Sequence, residues 1–340
     1  MKNLIQIQKK IMPEVLDVMY RRYKILNQIS LNESIGRRSL SNKLDLSERV
    51  VRSEVEFLKK QDLIKIYTSG MSINENGLNL LNELKIFMDE IMGISELEEI
   101  IKKKLGIKKV IILPGNADDD PLVIKDIGKA TYKYLTKIIK NDYIIGVTGG
   151  NTMLEFANCC HETKKYENIL VVPARGGLGK EVEIQSNNIA AIIGKKFGGN
   201  YKLLHVPDNV TEETLNSLIL EPEINNTLNH IQNVDVLVFG VGRADDMARR
   251  RKMLDSDYQY IMSKKAVGEA FGYYFNRDGE IIYETSTIGI KLENFKAIKN
   301  TIGIVGGSRK AEAILAISNI KKDLVLVTDE GAANKICELI

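Results

Sequence analysis

Seven short runs of β-branched and aliphatic residues, separated by stretches with helical spacing, constrain this 340-residue chain more than any other feature. They lie at 110–113, 143–148, 169–173, 201–206, 234–240, 301–305 and 323–328. Runs such as Val-Asp-Val-Leu-Val-Phe are apolar on both faces, so each strand must be covered on both sides. Strands alternating with helices in this way predict a parallel, doubly wound α/β sheet. No repeat of fixed period and no low-complexity tract interrupts the pattern.

Charge separates the first fifth of the chain from this body. Residues 1–70 carry 14 Lys/Arg against 8 Asp/Glu, a net +6, and the remaining 270 residues sum to −3 within an overall +3. A basic leading segment joined to a slightly acidic body points to a nucleic-acid-binding module on a second domain. Local patterning agrees. Pro13 is placed to open a helix in which Leu16, Met19, Tyr23 and Leu26 recur at helical spacing. After Gly36 a short helix is predicted over 38–44. The turn Asp45-Leu46-Ser47 then leads to a helix over 48–61, with Ser47 as its N-cap. Val51, Val55 and Leu58 form the inward stripe of that helix, and Arg49, Arg52, Ser53 and Lys60 fall opposite, with Glu56 among them. Residues 63–67 and 71–73, joined through Thr68-Ser69-Gly70, read as a hairpin wing. Helix, helix, helix, hairpin is the order of a winged helix-turn-helix. In that reading Arg49, Arg52 and Ser53 face base edges of double-stranded DNA. Arg37, Arg38, Lys43, Lys60 and Lys65 lie where the phosphate backbone passes, and Ser47 is counted with the DNA-contacting residues.

Residues 75–92 form a further helical stretch with Leu80, Leu84, Phe87 and Ile91 at heptad spacing, consistent equally with core packing or a dimerising linker. Ser95-Glu-Leu-Glu98 reads as a capping box. The expected divisions are a DNA-binding domain over 1–74, a helical linker over 75–105 and an α/β domain over 106–340.

In a doubly wound sheet ligands sit beyond the carboxyl ends of the strands. Thr148-Gly-Gly-Asn-Thr152 follows a strand and opens a helix, a backbone arrangement that favours an anion. Gly306-Gly-Ser-Arg-Lys310 repeats it, with Ser308 able to cap and Lys310 in the first turn, where a cation opposes the helix dipole unless a phosphate offsets it. Arg175-Gly-Gly177 and Gly240-Val-Gly-Arg-Ala-Asp245 occupy other strand ends. Neither G-x-G-x-x-G nor G-x-x-x-x-G-K-[ST] is completed, which disfavours dinucleotides and nucleoside triphosphates. Two glycine loops with Arg175 and Lys310 converging suggest a ligand with two anionic ends, such as a sugar bisphosphate. Three cysteines (159, 160, 337) and three histidines (161, 205, 230) give neither a disulfide framework nor ligand spacing for a metal. The Cys159-Cys160 pair reads as structural. No apolar run reaches the ~20 residues of a membrane helix and residues 1–10 lack a signal core, so a cytoplasmic location is expected.

Taken together, the winged helix and the motifs Thr148-Gly-Gly-Asn-Thr-Met153, Pro173-Ala-Arg-Gly-Gly177, Gly242-Arg-Ala-Asp-Asp-Met-Ala-Arg-Arg250 and Val305-Gly-Gly-Ser-Arg-Lys-Ala-Glu-Ala313 resemble the central glycolytic genes regulators. These are bacterial repressors of the SorC group, and the resemblance runs through essentially the whole chain. It implies a repressor of a triose-phosphate operon whose α/β domain is similar to phosphosugar isomerases and deaminases. It also implies fructose 1,6-bisphosphate as effector, and dimers that assemble as tetramers on an operator. On the matching positions, Gly149, Gly150, Asn151 and Thr152 would hold one phosphate. Arg175, Arg250 and Lys310 would meet phosphates, and Glu269 sugar hydroxyls. Asn151 departs from the family loop, which carries two consecutive threonines, and this bears on affinity and effector preference. Two other readings compete. One is a phosphosugar isomerase or deaminase with an accessory nucleic-acid-binding domain, using Asp245, Asp246 or Glu269 to move a proton. The other is a scaffold whose winged helix binds protein.

Overall fold

The computed structural model describes residues 11–30, 32, 34–44, 46–91, 93–163, 166–177, 181–207 and 211–340. The chain divides into two compact units, Met1–Ser95 and Glu96–Ile340.

The first unit is built from α1 (Pro13–Ser30), α2 (Arg37–Leu44), α3 (Glu48–Lys60), the hairpin β1 (Ile64–Tyr67) and β2 (Gly70–Ile73), and α4 (Glu75–Ile91). The two strands are antiparallel, with Ile64 opposite Ile73 and Tyr67 opposite Gly70. Its core collects Ile25, Leu26 and Ile29 from α1 and Leu40 from α2. Val51, Val55 and Leu58 of α3 join them, with Ile64 and Met71 from the wing. The predicted stripe of α3 is fully buried. In α1 Tyr23 and Leu26 are buried and Leu16 and Met19 half-buried; in α4 Leu80 and Leu84 are half-buried, while the side chains of Phe87 and Ile91 lie outside those described.

The second unit takes in most of α5 (Ile94–Leu105), which crosses the division between residues 95 and 96, and goes on with β3 (Lys109–Leu113). It continues through α6 (Pro121–Ile138), β4 (Ile144–Val147), α7 (Asn151–Cys159), β5 (Leu170–Pro173), α8 (Ser186–Lys196), β6 (Asn200–Tyr201), α9 (Glu212–Leu218) and α10 (Pro222–Gln232). Next come β7 (Val236–Phe239), β8 (Gly242–Arg243), α11 (Ala244–Arg250), α12 (Asp255–Ser263), β9 (Ala266–Ala270), β10 (Tyr273–Asn276) and β11 (Ile281–Glu284). The chain ends with α13 (Leu292–Ala297), β12 (Asn300–Ile304), α14 (Ala311–Ile320), β13 (Leu324–Asp329) and α15 (Glu330–Leu339). Strands form at all seven expected places and pair in one sheet, in the order β3-β13-β12-β7-β4-β5-β6 with every pairing parallel, although the one expected over 201–206 is reduced to Asn200–Tyr201. All four residues of β7 and all six of β13 are buried, as strands covered on both faces require.

From β4 the chain winds outward to β6, and from β7 it winds the other way to β13. The switch point is the crevice between β4 and β7, where such sheets bind ligands. A second sheet, β11-β10-β9-β8, is antiparallel and was not anticipated from the sequence. Its strands are only 2–5 residues long and punctuated by turns at Phe271, Gly272 and Gly279, so their periodicity is too brief to register. This small sheet has a functional consequence: it pairs Glu269 with Gly242, which stands at the β7 exit.

Candidate DNA interface and effector pocket

In the first unit, Ser47 caps α3 by accepting the Val50 N–H at 3.3 Å. The inward face carries Val51, Val55 and Leu58, and Glu54 is buried with them. Glu54 accepts from Arg21 Nε at 3.0 Å and Arg22 Nε at 2.7 Å, tying α3 to α1. The Arg22 guanidinium also lies 3.5 Å from the Phe57 ring centroid. On the outer face Arg49, Arg52, Ser53 and Lys60 are exposed, and among the described residues neither Arg49 nor Arg52 has an ion-pair partner. Arg38, Lys43, Ser47 and Lys65 are exposed as well. Arg38 and Arg37 make long surface pairs with Glu48 (3.6 Å) and Glu56 (3.8 Å). Such solvated pairs are worth at most about 1 kcal/mol and yield readily to a phosphate. The α3 helix therefore presents the basic surface that a recognition helix needs.

In the second unit a cavity of about 280 Å³ opens at the β4/β7 switch point. Its first wall is the turn after β4. Gly150 adopts φ +117°, and a Cβ there would project into open space; a Cβ at Gly149 would come within 2.6 Å of the Ile184 carbonyl oxygen. Both positions thus exclude a side chain, one by conformation and one by contact. The Gly150 N–H donates to Ile184 O at 2.8 Å. No side chain caps α7, so the first-turn N–H groups of Asn151, Thr152 and Met153 have no acceptor among the described residues. Thr148 Oγ1 accepts the Gly240 N–H at 3.0 Å and holds the β4 and β7 exits together.

The second wall is a buried ionic cluster. Glu269 Oε1 accepts from Arg175 Nη1 (2.9 Å), Arg251 Nη2 (2.9 Å) and the Gly272 N–H (2.7 Å). Burial alone would raise the Glu269 pKa; the two arginines and the Gly272 N–H outweigh it and hold the carboxyl below its usual range. Arg251, only 8% exposed, is the functional neighbour that the sequence reading missed. It stands in the run Arg249-Arg250-Arg251, where residues about 100° apart on a helix meet different surroundings. Arg250 is exposed and lies 3.9 Å from Glu181, while Arg251 turns inward.

The third wall brings Arg243, Asp246, Arg250 and Lys310 to the cavity. Arg243 is bidentate on Asp245 at 2.9 and 2.8 Å. Burial lowers the pKa of Lys310, and the carboxylates of Asp118, Asp246 and Asp329 only partly restore it. The Lys310 N–H donates to Gly307 O at 3.1 Å, but its ammonium has no hydrogen bond or ion pair among the described residues.

The 306–310 turn differs from the sequence expectation. It does not leave its donors open as the 148–152 turn does. Gly307 N–H donates to Asp329 Oδ2 (2.7 Å), Ser308 N–H to Asn116 Oδ1 (3.1 Å), and Ser308 Oγ and Arg309 N–H to Asp118 Oδ2 (3.0 and 2.9 Å). Ser308 donates to Asp118 and does not cap α14, because a 3₁₀ turn over Ser308–Lys310 precedes that helix. The partners arrive from the β3–α6 turn and the end of β13, far away in sequence. Cys159 and Cys160 are both buried, and burial pushes the Cys160 thiol up to about 12, so neither is a nucleophile at neutral pH.

A winged helix-turn-helix combined with a doubly wound domain whose switch-point crevice is lined by cations and open backbone donors defines a class: transcriptional regulators that bind DNA and a sugar ligand. Comparison with known proteins narrows it. Residues 18–88 match the CggR N-terminal DNA binding domain, and residues 89–338 match a sugar-binding domain family. The chain is 44% identical over 336 residues to the central glycolytic genes regulator of Bacillus subtilis, covering 99% of both. It is 42% identical over 337 residues to that of Priestia megaterium, covering 99% of this chain and 98% of the relative. Among solved structures, a SorC-family transcriptional regulator from Enterococcus faecalis superposes with TM-score 0.67 at 38% identity, over 71% of this chain and 99% of that one. The full-length sorbitol operon regulator SorC of Klebsiella pneumoniae shares the fold, with TM-score 0.65 at 15% identity over 88% and 93% of the chains. The chain belongs to the family of the central glycolytic genes regulators, within the SorC group.

Proposed function

We propose that the protein represses a glycolytic operon of triose-phosphate genes and that a sugar bisphosphate, fructose 1,6-bisphosphate, releases it from its operator. The observation that carries the effector reading is the uncapped first turn of α7 facing a cavity that also holds Arg175, Arg250 and Lys310. One phosphate is assigned to Gly149, Gly150, Asn151 and Thr152, and the other to the basic wall. Asn151 offers an amide N–H where a second threonine would offer a hydroxyl. Glu269 is assigned chiefly the orientation of Arg175, since Oε1 already accepts three hydrogen bonds. The glycolytic assignment follows the two relatives named above. Operator binding is assigned to Arg49, Arg52 and Ser53 over bases and to Arg37, Arg38, Ser47 and Lys60 at the backbone, within a dimer that pairs as a tetramer on DNA in the cytoplasm.

The isomerase alternative is disfavoured. Glu269 is held ionised between two arginines. Asp245, although burial would raise its pKa, is lowered on balance by Arg243. Neither is poised to shuttle a proton near neutral pH. The relatives are themselves named as regulators.

The test is a pair of titrations. Operator-fragment affinity is measured with and without fructose 1,6-bisphosphate, and effector affinity with and without operator. Linkage requires the same factor in both, typically 5–150-fold. Equal affinities with and without the partner ligand would refute the scheme.

A further inference from the structure

The 306–310 turn has the outline of an anion site, yet the chain fills it from within. Asp118 Oδ2 stands 3.0 Å from Ser308 Oγ and 2.9 Å from the Arg309 nitrogen, both of which donate to it. Those are the contacts a phosphate oxygen would take at the start of a helix. Gly307 has φ +100°, and a Cβ there would come within 2.5 Å of Asp118 Oδ1, so the turn is shaped around this carboxylate.

Nor is Asp118 a side chain free to swing away. Its neighbour Ala117 donates its N–H to Asp329 Oδ2 at 2.8 Å, Gly115 donates to Glu330 Oε2 at 3.1 Å, and Asn116 Oδ1 accepts from both Ser308 N–H and Asp118 N–H. The 115–118 segment is therefore pinned to the starts of α14 and α15. Asp118 is exposed and does not itself line the cavity, but its bonds to Ser308 and Arg309 set its negative charge next to Lys310 of the basic wall, where it acts on Lys310 and Arg243.

We propose that Asp118 is a specificity-determining residue of the effector site: its pinned carboxylate disfavours a second phosphate beside Lys310 and so reduces the preference for sugar bisphosphates over sugar monophosphates. This rests on the sugar-phosphate reading of the cavity. Fixed at the turn, the carboxylate lets a hydroxyl approach Lys310 at little cost but repels a dianion. A monophosphate seated on residues 149–152 places only hydroxyls toward this wall, so Asp118 leaves it nearly unaffected.

The experiment is calorimetric titration of the full-length protein at pH 7.5 and low salt with fructose 1,6-bisphosphate and, separately, fructose 6-phosphate. Asp118→Asn removes the charge and keeps one side-chain oxygen, which can take the Oδ2 position that accepts from Ser308 and Arg309, and Asp119→Asn is the control for a neighbouring exposed carboxylate. Asp118→Asn is expected to tighten the bisphosphate roughly three- to tenfold, the effect of one unit charge acting across a solvated pocket, and the monophosphate less than twofold. The gain should shrink at high salt, and Asp119→Asn should leave the ratio of the two affinities unchanged. Equal tightening of both sugars, an unchanged or weaker bisphosphate, or the same shift from Asp119→Asn would overturn the proposal. If the wild-type protein bound neither compound, the sugar-phosphate reading itself would fall.

Discussion

Arg251→Met removes one of the two cations that hold Glu269 while keeping most of the side-chain volume. Arg251 and Glu269 are 8% and 3% exposed, and the Nη2–Oε1 contact is 2.9 Å. Breaking a buried pair by removing one partner costs about 3–5 kcal/mol because the remaining charge is left uncompensated. Here Arg175 and the Gly272 N–H still solvate Glu269, so the lower end, about 3 kcal/mol, applies. The second unit spans residues 96–340, and at about 2.1 cal/mol/K per residue its unfolding entropy is close to 500 cal/mol/K. The expected fall in Tm is therefore about 6 °C, read by calorimetry on the transition assigned to that unit. Glu269→Gln combined with Arg251→Met should cost less than the two single changes added, since both disrupt one network. A Tm within 1 °C of wild type, or strict additivity, would refute the view that this cluster is one cooperative support for the pocket.

Three further outcomes follow from the same geometry. Burial lowers the Lys310 pKa below the usual lysine range, and a bound phosphate would raise it. Effector affinity should thus be flat below the depressed pKa and fall as pH rises through it, by at most tenfold per unit; titrations between pH 7 and 10 should lose this slope in Lys310→Met. Gly150→Ala places a side chain at φ +117° over the mouth of the anion turn. About 1–3 kcal/mol of strain and a clear loss of sugar-phosphate affinity should appear together in melting and calorimetric titration. Arg52→Ala should weaken specific operator binding by about 1–3 kcal/mol if it reads a base. A uniform loss across operator and random DNA, with a shallower salt dependence, would make it a phosphate contact instead.

Much of the architecture is written locally. The winged unit follows from helical stripes, a serine cap and a glycine-turned hairpin, each a matter of a few neighbouring residues. The central strands of the parallel sheet follow from runs that no solvated strand would carry, whereas the edge strand β6 is exposed. The 148–152 turn is legible for the same reason: two glycines and a helix start are consecutive in the chain. What depends on residues brought together from afar was not legible. The antiparallel sheet that carries Glu269 to the β7 exit is built from strands too short to show a period. Arg251 and Arg250 look alike in sequence, and only the packing of α11 sends one inward to Glu269 and leaves the other at the surface. The two glycine loops read as equals, yet the second is closed by Asp118, Asn116 and Asp329 from turns about 190 residues upstream and 20 downstream. Backbone conformation and burial pattern are local properties, and so the sequence alone determined the elements and their order. Which donors remain open and which are answered by a carboxylate depends on three-dimensional proximity, and that was decided by the tertiary structure.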